Sequence, residues 1–299
     1  MKFLDYGSIN IDHVYRLNHL VIPGETQSSF DYKKNAGGKG ANQAAALAKA
    51  GLSVYMAGKT GKESDFIIKE LNEYGVDSSL ITISDNPSGH AIIQIDDSAQ
   101  NGIIIYGGEN RNITEAEINK VFEKFEEGDW LVLQNEINML DLLIKTAKSK
   151  KMKICMNLAP FEKALLTLPL EDIDILVVNE IEASGLLGIE PSDDYSKIAM
   201  SLIKNFPKNK ILMTVGSHGA YWIEANNFIH APAYEEYPVV DTTAAGDTFI
   251  GYFLASIAYC LDPESALQIA SKAAALTVSR HGAMQSIPYK EEVFQNEYK

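Results

Sequence analysis

Cysteine and histidine are scarce in this chain. Its 299 residues include 2 cysteines, Cys155 and Cys260, and 6 histidines. Two cysteines are too few for a disulfide framework, and the histidines show none of the close spacings that bind a structural zinc ion. Because both cysteines stand in apolar stretches, we expect them to be small buried side chains of a protein in a reducing compartment.

Basic residues are also few. Lys and Arg together number 26 against 40 Asp and Glu, so the formal net charge is −14 at pH 7. A general nucleic-acid-binding protein needs a basic face to displace counterions from phosphates, and this balance disfavours one. A nucleotide site is still compatible with it, because a metal ion and a few backbone N–H groups can hold phosphates locally.

The chain lacks a long apolar run. The longest strongly apolar stretch covers 249–261, which is too short to span a bilayer as a helix. Asp5 interrupts the N-terminal stretch before the core of a signal peptide could form. We therefore expect a cytoplasmic protein. Neither a low-complexity linker nor a repeat divides the sequence, so a single domain over 1–299 is predicted.

Strand-like and helix-like apolar patterns alternate along the chain. The predicted strands are 3–9, 54–57, 130–134, 153–157, 173–178 and 211–215. The predicted helices are 40–50, 64–74, 140–149, 248–260 and 264–280. Continuous apolar strands suit a sheet buried on both faces. The alternation therefore predicts an α/β fold with a doubly wound, mostly parallel central sheet and helices on both faces.

Two segments depart from this alternation. Residues 13–35 are polar and are broken by Pro23-Gly24, and 90–106 alternate like a hairpin with Asn101-Gly102 as the turn. Strands without intervening helices do not belong in a doubly wound core, so we interpret both segments as a small β-lid. The isoleucine-rich strands of the hairpin suggest a face buried by a second subunit, which predicts a homodimer.

The common nucleotide-binding motifs are incomplete. Gly58-Lys59-Thr60 ends like a P-loop, but the earlier glycine that this motif requires is replaced by Ser53. Gly38-Lys39-Gly40 begins like a dinucleotide fingerprint, but Gln43 occupies the third glycine position. A Rossmann dehydrogenase is therefore not expected.

The segment 241–249 is the most informative one. A loop of small residues enters a long apolar helix at Asp247, and the backbone N–H groups of Ala244, Ala245 and Gly246 could converge on one anion. A carboxylate beside such a site can accept a proton from a substrate hydroxyl. The alternative is that Asp247 only caps the helix, and the acidic residue six positions upstream favours the functional interpretation.

The segment 35–43 is a second candidate site. Its paired glycines would let a ligand approach the backbone, and Lys39 and Asn42 could hydrogen-bond hydroxyl groups. A flexible entry to a helix is the alternative. Asn10 and Asp12 follow the first strand, where α/β proteins place ligand-binding residues, although an ordinary turn would also use them.

Together these motifs resemble the PfkB, or ribokinase, family of sugar kinases. The matching segments are 10–12, 23–26, 37–42 and 241–249, in the family's order over essentially the whole chain. The resemblance implies a doubly wound sheet with a β-lid that also forms the dimer contact. It also implies ATP-dependent phosphorylation of the 5-hydroxyl of D-ribose, giving D-ribose 5-phosphate, with Mg²⁺ and an activating monovalent cation, typically K⁺.

The resemblance also implies roles for individual residues. Asp247 would be the catalytic base, and the amides of Ala244, Ala245 and Gly246 would hold the transferred group. The residues at sugar-contacting positions would be Asn10, Asp12, Gly37, Gly38, Lys39, Gly40, Asn42, Glu136 and Asp247. The residues at nucleotide-contacting positions would be Asn179, Glu182, Thr214, Val215, Gly216, Ser217, Gly219, Gly246 and Ser271. Glu182 would act on Mg²⁺ indirectly. The residues at monovalent-cation positions would be Asp241, Thr243, Thr277, Arg280, Gly282 and Ser286.

Structural alternatives remain for several of these residues. Glu136 could be a surface acid at a strand end, Asn179 and Glu182 could belong to a helix N-terminus, and 214–219 could be a plain turn. The sequence also departs from the family at Glu109, where a small residue is more usual. Glu109 could be a solvated rim residue, or it could tune which sugar fits. We favour the rim interpretation, since most charged side chains are exposed.

Rival functions are a related kinase for another pentose, a nucleoside or a phosphorylated hexose, and a catalytically silent sugar sensor. No basic cluster beyond Lys39 accompanies the N-terminal motif, which disfavours a substrate that already carries a phosphate. A pure sensor needs neither a base nor a phosphate site, so the presence of Gly246, Asp247 and Asn179 disfavours it.

Overall fold

The computed structural model describes residues 1–98, 100–225 and 227–294. Ala99, which falls in the predicted hairpin, and residues 295–299, the end of the predicted domain, lie outside the described residues, as does Asn226. None of the helices in the described ranges combines the length and the apolar character needed to cross a membrane.

The described residues form two sheets. The strands of the larger sheet are β1 (Phe3–Tyr6), β4 (Val54–Gly61), β5 (Asp77–Ser84), β8 (Trp130–Gln134), β9 (Lys153–Asn157), β10 (Ile175–Asn179), β11 (Lys210–Thr214), β12 (Ala220–Glu224) and β13 (Asn227–Ala231). The strands of the smaller sheet are β2 (Asn10–Arg16), β3 (Asp31–Gly37), β6 (Gly89–Ile95) and β7 (Asn101–Tyr106).

The larger sheet has the strand order β13-β12-β11-β10-β9-β8-β1-β4-β5. All neighbouring strands from β11 to β5 are parallel, whereas β12 and β13 are antiparallel. This confirms the predicted fold class. The chain order reverses at β1, which lies between β8 and β4. In doubly wound sheets the crevice beyond the carboxyl ends of the strands at such a switch point is where ligands bind.

Helices cover both faces of this sheet. The helices of the described residues are α1 (Lys39–Lys49), α2 (Asp65–Glu73), α3 (Glu115–Phe122), α4 (Leu140–Ser149), α5 (Glu180–Leu187), α6 (Tyr195–Asn205), α7 (Ala245–Ala258), α8 (Pro263–Val278) and α9 (Lys290–Val293). One core contains α1, α2, α7 and α8, and the other contains α3, α4, α5 and α6. Successive strand residues point into opposite cores, as Phe3 and Leu4 do in β1.

Two local predictions need correction. The predicted strand 3–9 ends early, at Tyr6, because the chain leaves the large sheet there before it enters the small sheet at Asn10. The predicted hairpin turn at Asn101-Gly102 is wrong, since both residues lie in β7. The turn precedes them, where the Asp96 carboxylate accepts hydrogen bonds from the backbone N–H groups of Ser98 and Gln100, both at 2.9 Å.

The prediction that both cysteines are buried is half right. Cys155 is buried in β9, but Cys260 is exposed. Helix α7 ends at Ala258, and Cys260 adopts a left-handed backbone with φ of 63° as the chain turns out of the core. The apolar run that contains Cys260 therefore ends at the surface.

Helices α1 and α7 pack against each other at very short range. A Cβ atom at Gly251 in α7 would lie 2.5 Å from the Cβ of Ala46 and 3.0 Å from the backbone N of Leu47, both in α1. Only a residue without a side chain fits there, because real Cβ contacts are longer. This close crossing sets the distance between the N-terminal turns of the two helices.

We predict that Gly251→Ala destabilises the protein by about 1–3 kcal/mol, because overpacking forces the helices apart. Urea unfolding of the variant and the parent protein measures the difference. Gln268→Ala, at an exposed position of α8, is the control and should stay within about 0.5 kcal/mol of the parent. An unchanged stability for Gly251→Ala would show that the crossing has room for a methyl group.

Candidate active site

Three chain segments meet beyond the carboxyl ends of β1 and β8. Ser8 follows β1, Glu136 follows β8, and Lys39 and Gly40 begin α1. The Ser8 hydroxyl donates a short hydrogen bond to Oε2 of Glu136, which also accepts the backbone N–H of Lys39 at 3.2 Å. The backbone N–H of Gly40 donates to Oγ of Ser8 at 3.3 Å. Glu136 is therefore tied to the start of α1 rather than lying free at the surface.

Gly38 makes this approach possible. It precedes α1 with a φ of 96°, a backbone conformation that favours glycine. A Cβ atom there would lie 2.7 Å from the carbonyl oxygen of Ser8 and 2.9 Å from the backbone N of Asn10. The paired glycines thus bring α1 directly against the segment that joins β1 to β2.

Asp12 lies beside Glu136 in the same crevice. It stands in β2, where its carboxylate lies against Gly37 of the paired strand β3. Burial, and secondarily the negative charge of Glu136, raise the pKa of Asp12 to about 7. Two neighbouring carboxyl groups offer several hydrogen-bond acceptors to a ligand that carries hydroxyl groups.

Asn10 is held by a residue to which no role was assigned from the sequence. Nδ2 of Asn110 donates to Oδ1 of Asn10 at 2.7 Å, and Oδ1 of Asn110 accepts the backbone N–H of Ile9 at 3.0 Å. Asn110 follows a Gly-Gly-Glu string, and that string is the only sequence signal that could have indicated it. Asn110 fixes the orientation of the Asn10 side-chain amide.

The interpretation of Glu109 as a rim residue is wrong. Its side chain is 1% exposed, and Oε1 accepts hydrogen bonds from Asn112 at 2.9 Å and Asn86 at 3.1 Å. Nζ of Lys59 lies 3.5 Å from its other oxygen. Burial alone would raise the pKa of Glu109, but these hydrogen bonds and the charge of Lys59 lower it overall. Glu109 anchors the loop that carries Asn110.

Asp247 is clamped by two side-chain amides. Oδ2 accepts from Nδ2 of Asn42 and Oδ1 accepts from Nε2 of Gln43, both at 2.9 Å, and Asp247 is 8% exposed. Asp247 lies in the first turn of α7 and is not its cap, since Ala244 holds that position without a side-chain bond. Gln43 was not predicted as a site residue, although it stands next to Asn42 in the same glycine-rich motif.

The backbone at the N-terminus of α7, where the sequence predicts an anion site, differs from the prediction in one respect. Ala244 adopts a left-handed backbone with φ of 61°, an unusual conformation for a residue with a side chain. The N–H of Ala245 donates to the carbonyl oxygen of Thr242 at 3.3 Å, so the amide of Gly246, which is exposed, is the more available donor. First-turn N–H groups and the helix dipole favour an anion here.

Lys39 links the parts of the site. Burial would lower the pKa of its ammonium group, but the nearby carboxylates of Asp247, Glu136 and Glu182 raise it overall. Lys39 is therefore a permanent positive charge between the Asp12–Glu136 side of the crevice and the start of α5. Lys39 is half-buried, and its ammonium group can donate charge-assisted hydrogen bonds to an anionic or hydroxylated ligand.

Asn179 and Glu182 form a capping box at the start of α5. Oδ1 of Asn179 accepts the backbone N–H of Glu182 at 2.7 Å, and Oε2 of Glu182 accepts the N–H of Asn179 at 2.9 Å. Burial raises the pKa of Glu182, and this effect exceeds the opposite effects of the Asn179 hydrogen bond and Lys39. Asn179 and Glu182 therefore do cap a helix N-terminus, as the structural alternative holds. Glu182 also lies near enough to Lys39 to feel its charge.

The loop after β11 contains the predicted nucleotide residues. Thr214 ends β11, and 216–218 form a single 3₁₀ turn. The turn closes with a hydrogen bond from the N–H of Val215 to the carbonyl oxygen of Gly219 at 2.9 Å. Ser217 is exposed. The loop lies at the same carboxyl edge of the sheet as Asn179, because β10 and β11 are parallel neighbours.

Ser271 lies apart from that loop, on α8. Its hydroxyl oxygen accepts the backbone N–H of Tyr234 at 2.9 Å, and its O–H group donates to the carbonyl oxygen of Pro232 at 3.4 Å. These bonds tie α8 to the segment that follows β13. Ser271 therefore holds α8 against that segment rather than presenting a free hydroxyl, and its contact with a nucleotide stays a prediction.

Three of the predicted cation residues meet at one carboxylate. Oδ1 of Asp241 accepts the N–H of Thr243 at 3.0 Å and its hydroxyl at 2.6 Å, and Oδ2 accepts the N–H of Gly282 at 3.0 Å. Burial would raise the pKa of Asp241, but these hydrogen bonds lower it overall. Asp241 thus joins the loop before α7 to the loop after α8 as an ionised group.

The other three predicted cation residues use their side chains elsewhere. The Thr277 hydroxyl lies 3.0 Å from that of Thr248, the Ser286 hydroxyl donates to a backbone carbonyl at 2.7 Å, and Arg280 pairs with Glu292. They could contribute only carbonyl oxygens. Within the described ranges no group of three or more His, Cys, Asp or Glu side chains could hold a metal ion.

Comparison with known proteins connects this geometry to a family. A model described as the pfkB family carbohydrate kinase matches residues 2–290. Ribokinase from Staphylococcus aureus (strain COL) is 34% identical, covering 98% of this chain and 99% of the relative. Deoxyribokinase from Salmonella typhimurium is 32% identical, with 98% and 96% coverage. The structure of Arabidopsis thaliana ribokinase complexed with ribose and ATP superposes with a TM-score of 0.86 at 29% identity, covering 98% of this chain and 97% of that one.

The raised pKa of Asp12 predicts a pH-dependent stability. The folded protein holds this proton up to about pH 7, whereas an unfolded aspartate loses it near pH ~4. Asp12 therefore stabilises the fold at low pH, and this contribution is lost as the pH rises through about 7. The free energy of unfolding of the parent protein should fall relative to that of Asp12→Asn between about pH 5 and pH 7, and then level off. Urea unfolding across this range measures the difference, and a pH-independent difference would contradict the assignment.

Proposed function

The chain belongs to the pfkB family of carbohydrate kinases, and from that premise we propose that it transfers the γ-phosphoryl group of ATP to the 5-hydroxyl of D-ribose. The product is D-ribose 5-phosphate. The observation that carries the proposal is the buried Asp247 carboxylate at the N-terminus of α7, held on both oxygens by Asn42 and Gln43. The ribose and ATP bound by the Arabidopsis thaliana relative support the two substrates.

The sugar binds in the crevice lined by Asp12, Asn42 and Glu136. Their oxygens and amide hydrogens orient the ring through hydrogen bonds to its hydroxyl groups. Fixed orientation turns the encounter of hydroxyl and phosphate into an effectively unimolecular step, which lowers the barrier. The anchoring of Glu136 by Ser8 and Lys39 keeps this surface in place before the sugar arrives.

Asp247 accepts the proton of the attacking 5-hydroxyl. A carboxylate that receives hydrogen bonds from two neutral amides keeps a fixed orientation, and one of its lone pairs remains for the substrate. The N–H of the preceding residue, Gly246, and the positive end of the α7 dipole stabilise the negative charge that builds up on the transferred group. The positive charge of Lys39 contributes to the same field.

ATP lies along the carboxyl edge of β10 and β11. Asn179 and the loop 214–219 lie at that edge, after β10 and β11. In this proposal the loop and Ser271 border the nucleotide, and Asn179 and Glu182 face its phosphates. The oxygen-rich Asn179–Glu182 pair is compatible with Mg²⁺ held indirectly through water, the coordination this ion favours. Bound Mg²⁺ would neutralise part of the phosphate charge.

A monovalent cation fits beside the Asp241 carboxylate. Its donors would be the ionised Asp241 and backbone carbonyls near Thr277, Arg280 and Ser286, a set of hard oxygen ligands suited to K⁺. Asp241 already joins the loop before α7 to Gly282. A cation there would stiffen the same loop and so order the N-terminus of α7, which makes its effect conformational.

The small sheet acts as a lid and as a dimer contact. Strands β2 and β3 carry Asp12 and Gly37 at the crevice, so closing this sheet would exclude water as a competing acceptor. Strand β7 forms an edge of the small sheet and exposes Ile103, Ile104 and Ile105, a surface suited to a second copy of the chain. Sedimentation at assay concentrations tests this homodimer, and a monomer would rule it out.

Another pentose is the second candidate substrate. The deoxyribokinase relative, at 32% identity, favours 2-deoxy-D-ribose as the alternative to consider. Glu109 does not decide between the two sugars, because its side chain is buried against Lys59, Asn86 and Asn112.

A product assay tests the proposal. The protein, ATP, Mg²⁺ and K⁺ are incubated with D-ribose, 2-deoxy-D-ribose, hexoses, hexose phosphates and nucleosides, and the products are identified by mass spectrometry. We expect ribose phosphate to dominate. A different dominant product would support the kinase activity but assign another substrate. Sugar binding without phosphorylation would instead identify a sensor.

The same assay tests the cation. With K⁺ replaced by tetramethylammonium, whose methyl groups keep oxygen ligands away from its charge, the rate of phosphorylation should fall. Equal rates in the two ions would remove the cation from the mechanism.

Replacing Asp247 with Asn tests the proton acceptor. We expect kcat to fall by at least ~10²-fold, because the amide cannot take the proton of the hydroxyl. The melting temperature should change little, since the Asn oxygen can still accept from Gln43 and its NH₂ group can donate to Asn42, whose own oxygen has no other partner among the described residues. Full activity in a folded Asp247→Asn protein would mean that Asp247 has only a structural role.

A further inference from the structure

Asp5 is a carboxyl group in the middle of the apolar core. It lies in the central strand β1, fully buried, with Met56 and Val132 at the paired positions of the two neighbouring strands. Cys155 lies near it on the same face of the sheet. Burying a carboxyl group among apolar side chains is unfavourable unless hydrogen bonds compensate. Its presence here therefore calls for an explanation.

A chain of three hydrogen bonds joins Asp5 to Asp247. Nε2 of Gln134 donates to Oδ1 of Asp5 at 3.1 Å and to Oε1 of Gln43 at 2.9 Å. Nε2 of Gln43 then donates to Oδ1 of Asp247 at 2.9 Å. Asp5, Gln43 and Gln134 are all fully buried, so water does not compete for these bonds.

Asp5 determines which group donates and which accepts in this series of hydrogen bonds. A glutamine amide can turn over and exchange its oxygen with its NH₂ group, so Gln43 could also present an oxygen to Asp247. Gln134 prevents this as long as its NH₂ group faces Gln43. Because Oδ1 of Asp5 accepts the other N–H of that group, both amides are locked in the orientation that leaves Gln43 donating to Asp247.

This role does not require Asp5 to be ionised. Burial, opposed by the Gln134 hydrogen bond and reinforced by the charge of Asp247, raises the pKa of Asp5 well above its usual range. The titratable groups that face it are Cys155 and Asp247. A neutral carboxyl group still accepts at Oδ1, and Oδ2 has no hydrogen-bond partner among the residues that the structure describes.

We propose that Asp5 is a positioning residue of the phosphoryl-transfer site, which acts through Gln134 and Gln43 to keep an N–H group aimed at Asp247. The inference rests on the proposed function of Asp247 as the proton acceptor. This positioning role explains why a carboxyl group is retained in an apolar core.

Two variants of similar shape separate this role from a structural one. In Asp5→Leu the acceptor is gone, and kcat should fall by about 10-fold while the KM values for sugar and ATP stay within about two-fold, since misorientation affects the reaction more than binding. The melting temperature should change little, because the gain from an apolar side chain in this core opposes the cost of leaving one N–H of Gln134 unpaired. Asp5→Asn keeps an acceptor oxygen and should restore most of kcat.

The control is a second buried acid of the same sheet. Asp129 precedes β8 at the opposite edge, where its carboxylate accepts the backbone N–H of Lys2 at 2.7 Å. Asp129→Ala should lower the melting temperature and leave kcat unchanged. The proposal is overturned if folded Asp5→Leu keeps the parent kcat, or if Asp5→Asn loses as much kcat as Asp5→Leu. Should Asp5→Leu fail to fold, Gln134→Met breaks the next link and must give the same loss of kcat.

One readout does not depend on catalysis. In protein labelled with ¹⁵N-glutamine, the side-chain NH₂ protons of Gln43 and Gln134 should exchange slowly with solvent in the parent and in Asp5→Asn, and faster in Asp5→Leu. Equal exchange would contradict the proposal even if no kinase activity were found. Conversely, a parent protein without kinase activity that still shows this exchange pattern would refute the proposed function and leave the orienting role of Asp5 standing.

Discussion

The site depends on the clamp that Asn42 and Gln43 place on Asp247. Two consecutive amides at the start of α1 donate to both oxygens of a carboxylate that lies 205 and 204 residues away in the sequence. The clamp requires α1 and α7 to cross at short range, which Gly251 allows. It also requires α1 to begin directly behind β1, which Gly38 allows. The strand order places the clamp at the crevice, because β1 lies at the switch point where the crevice opens.

This arrangement concentrates carboxyl groups that a stable core would avoid. Asp5 and Glu182 are buried, Asp12 is half-buried, and burial raises the pKa of each. Lys39 offsets part of this charge, since the carboxylates around it keep its ammonium group protonated. A phosphoryl-transfer site needs fixed acceptors and a local positive charge, and under the proposed function these unfavourable burials meet that need. The apolar layers of α1, α7 and α8 stabilise the fold around them.

The sequence predicts the elements and residues that depend on local pattern. The buried strands β8 and β9 and helix α4 have the predicted bounds, because their apolar periodicity is continuous. The motif residues Lys39, Asn42 and Asp247 lie close together, as expected if the two motifs form one site. Strands β12 and β13 were not predicted, and Glu109, Gln43, Asn110 and Asp5 were misread or missed. Their roles arise from hydrogen bonds between segments distant in sequence, which no local spacing reveals.

The most direct test of this account is a crystal structure of the protein with D-ribose and a non-hydrolysable ATP analogue. The account predicts the 5-hydroxyl within about 3 Å of an Asp247 oxygen, a distance that permits proton transfer. It also predicts the terminal phosphate of the analogue opposite the first turn of α7, with Asn42 and Gln43 still donating to Asp247. A sugar bound with its 5-hydroxyl turned away from Asp247, or a nucleotide outside the edge of β10 and β11, would contradict it.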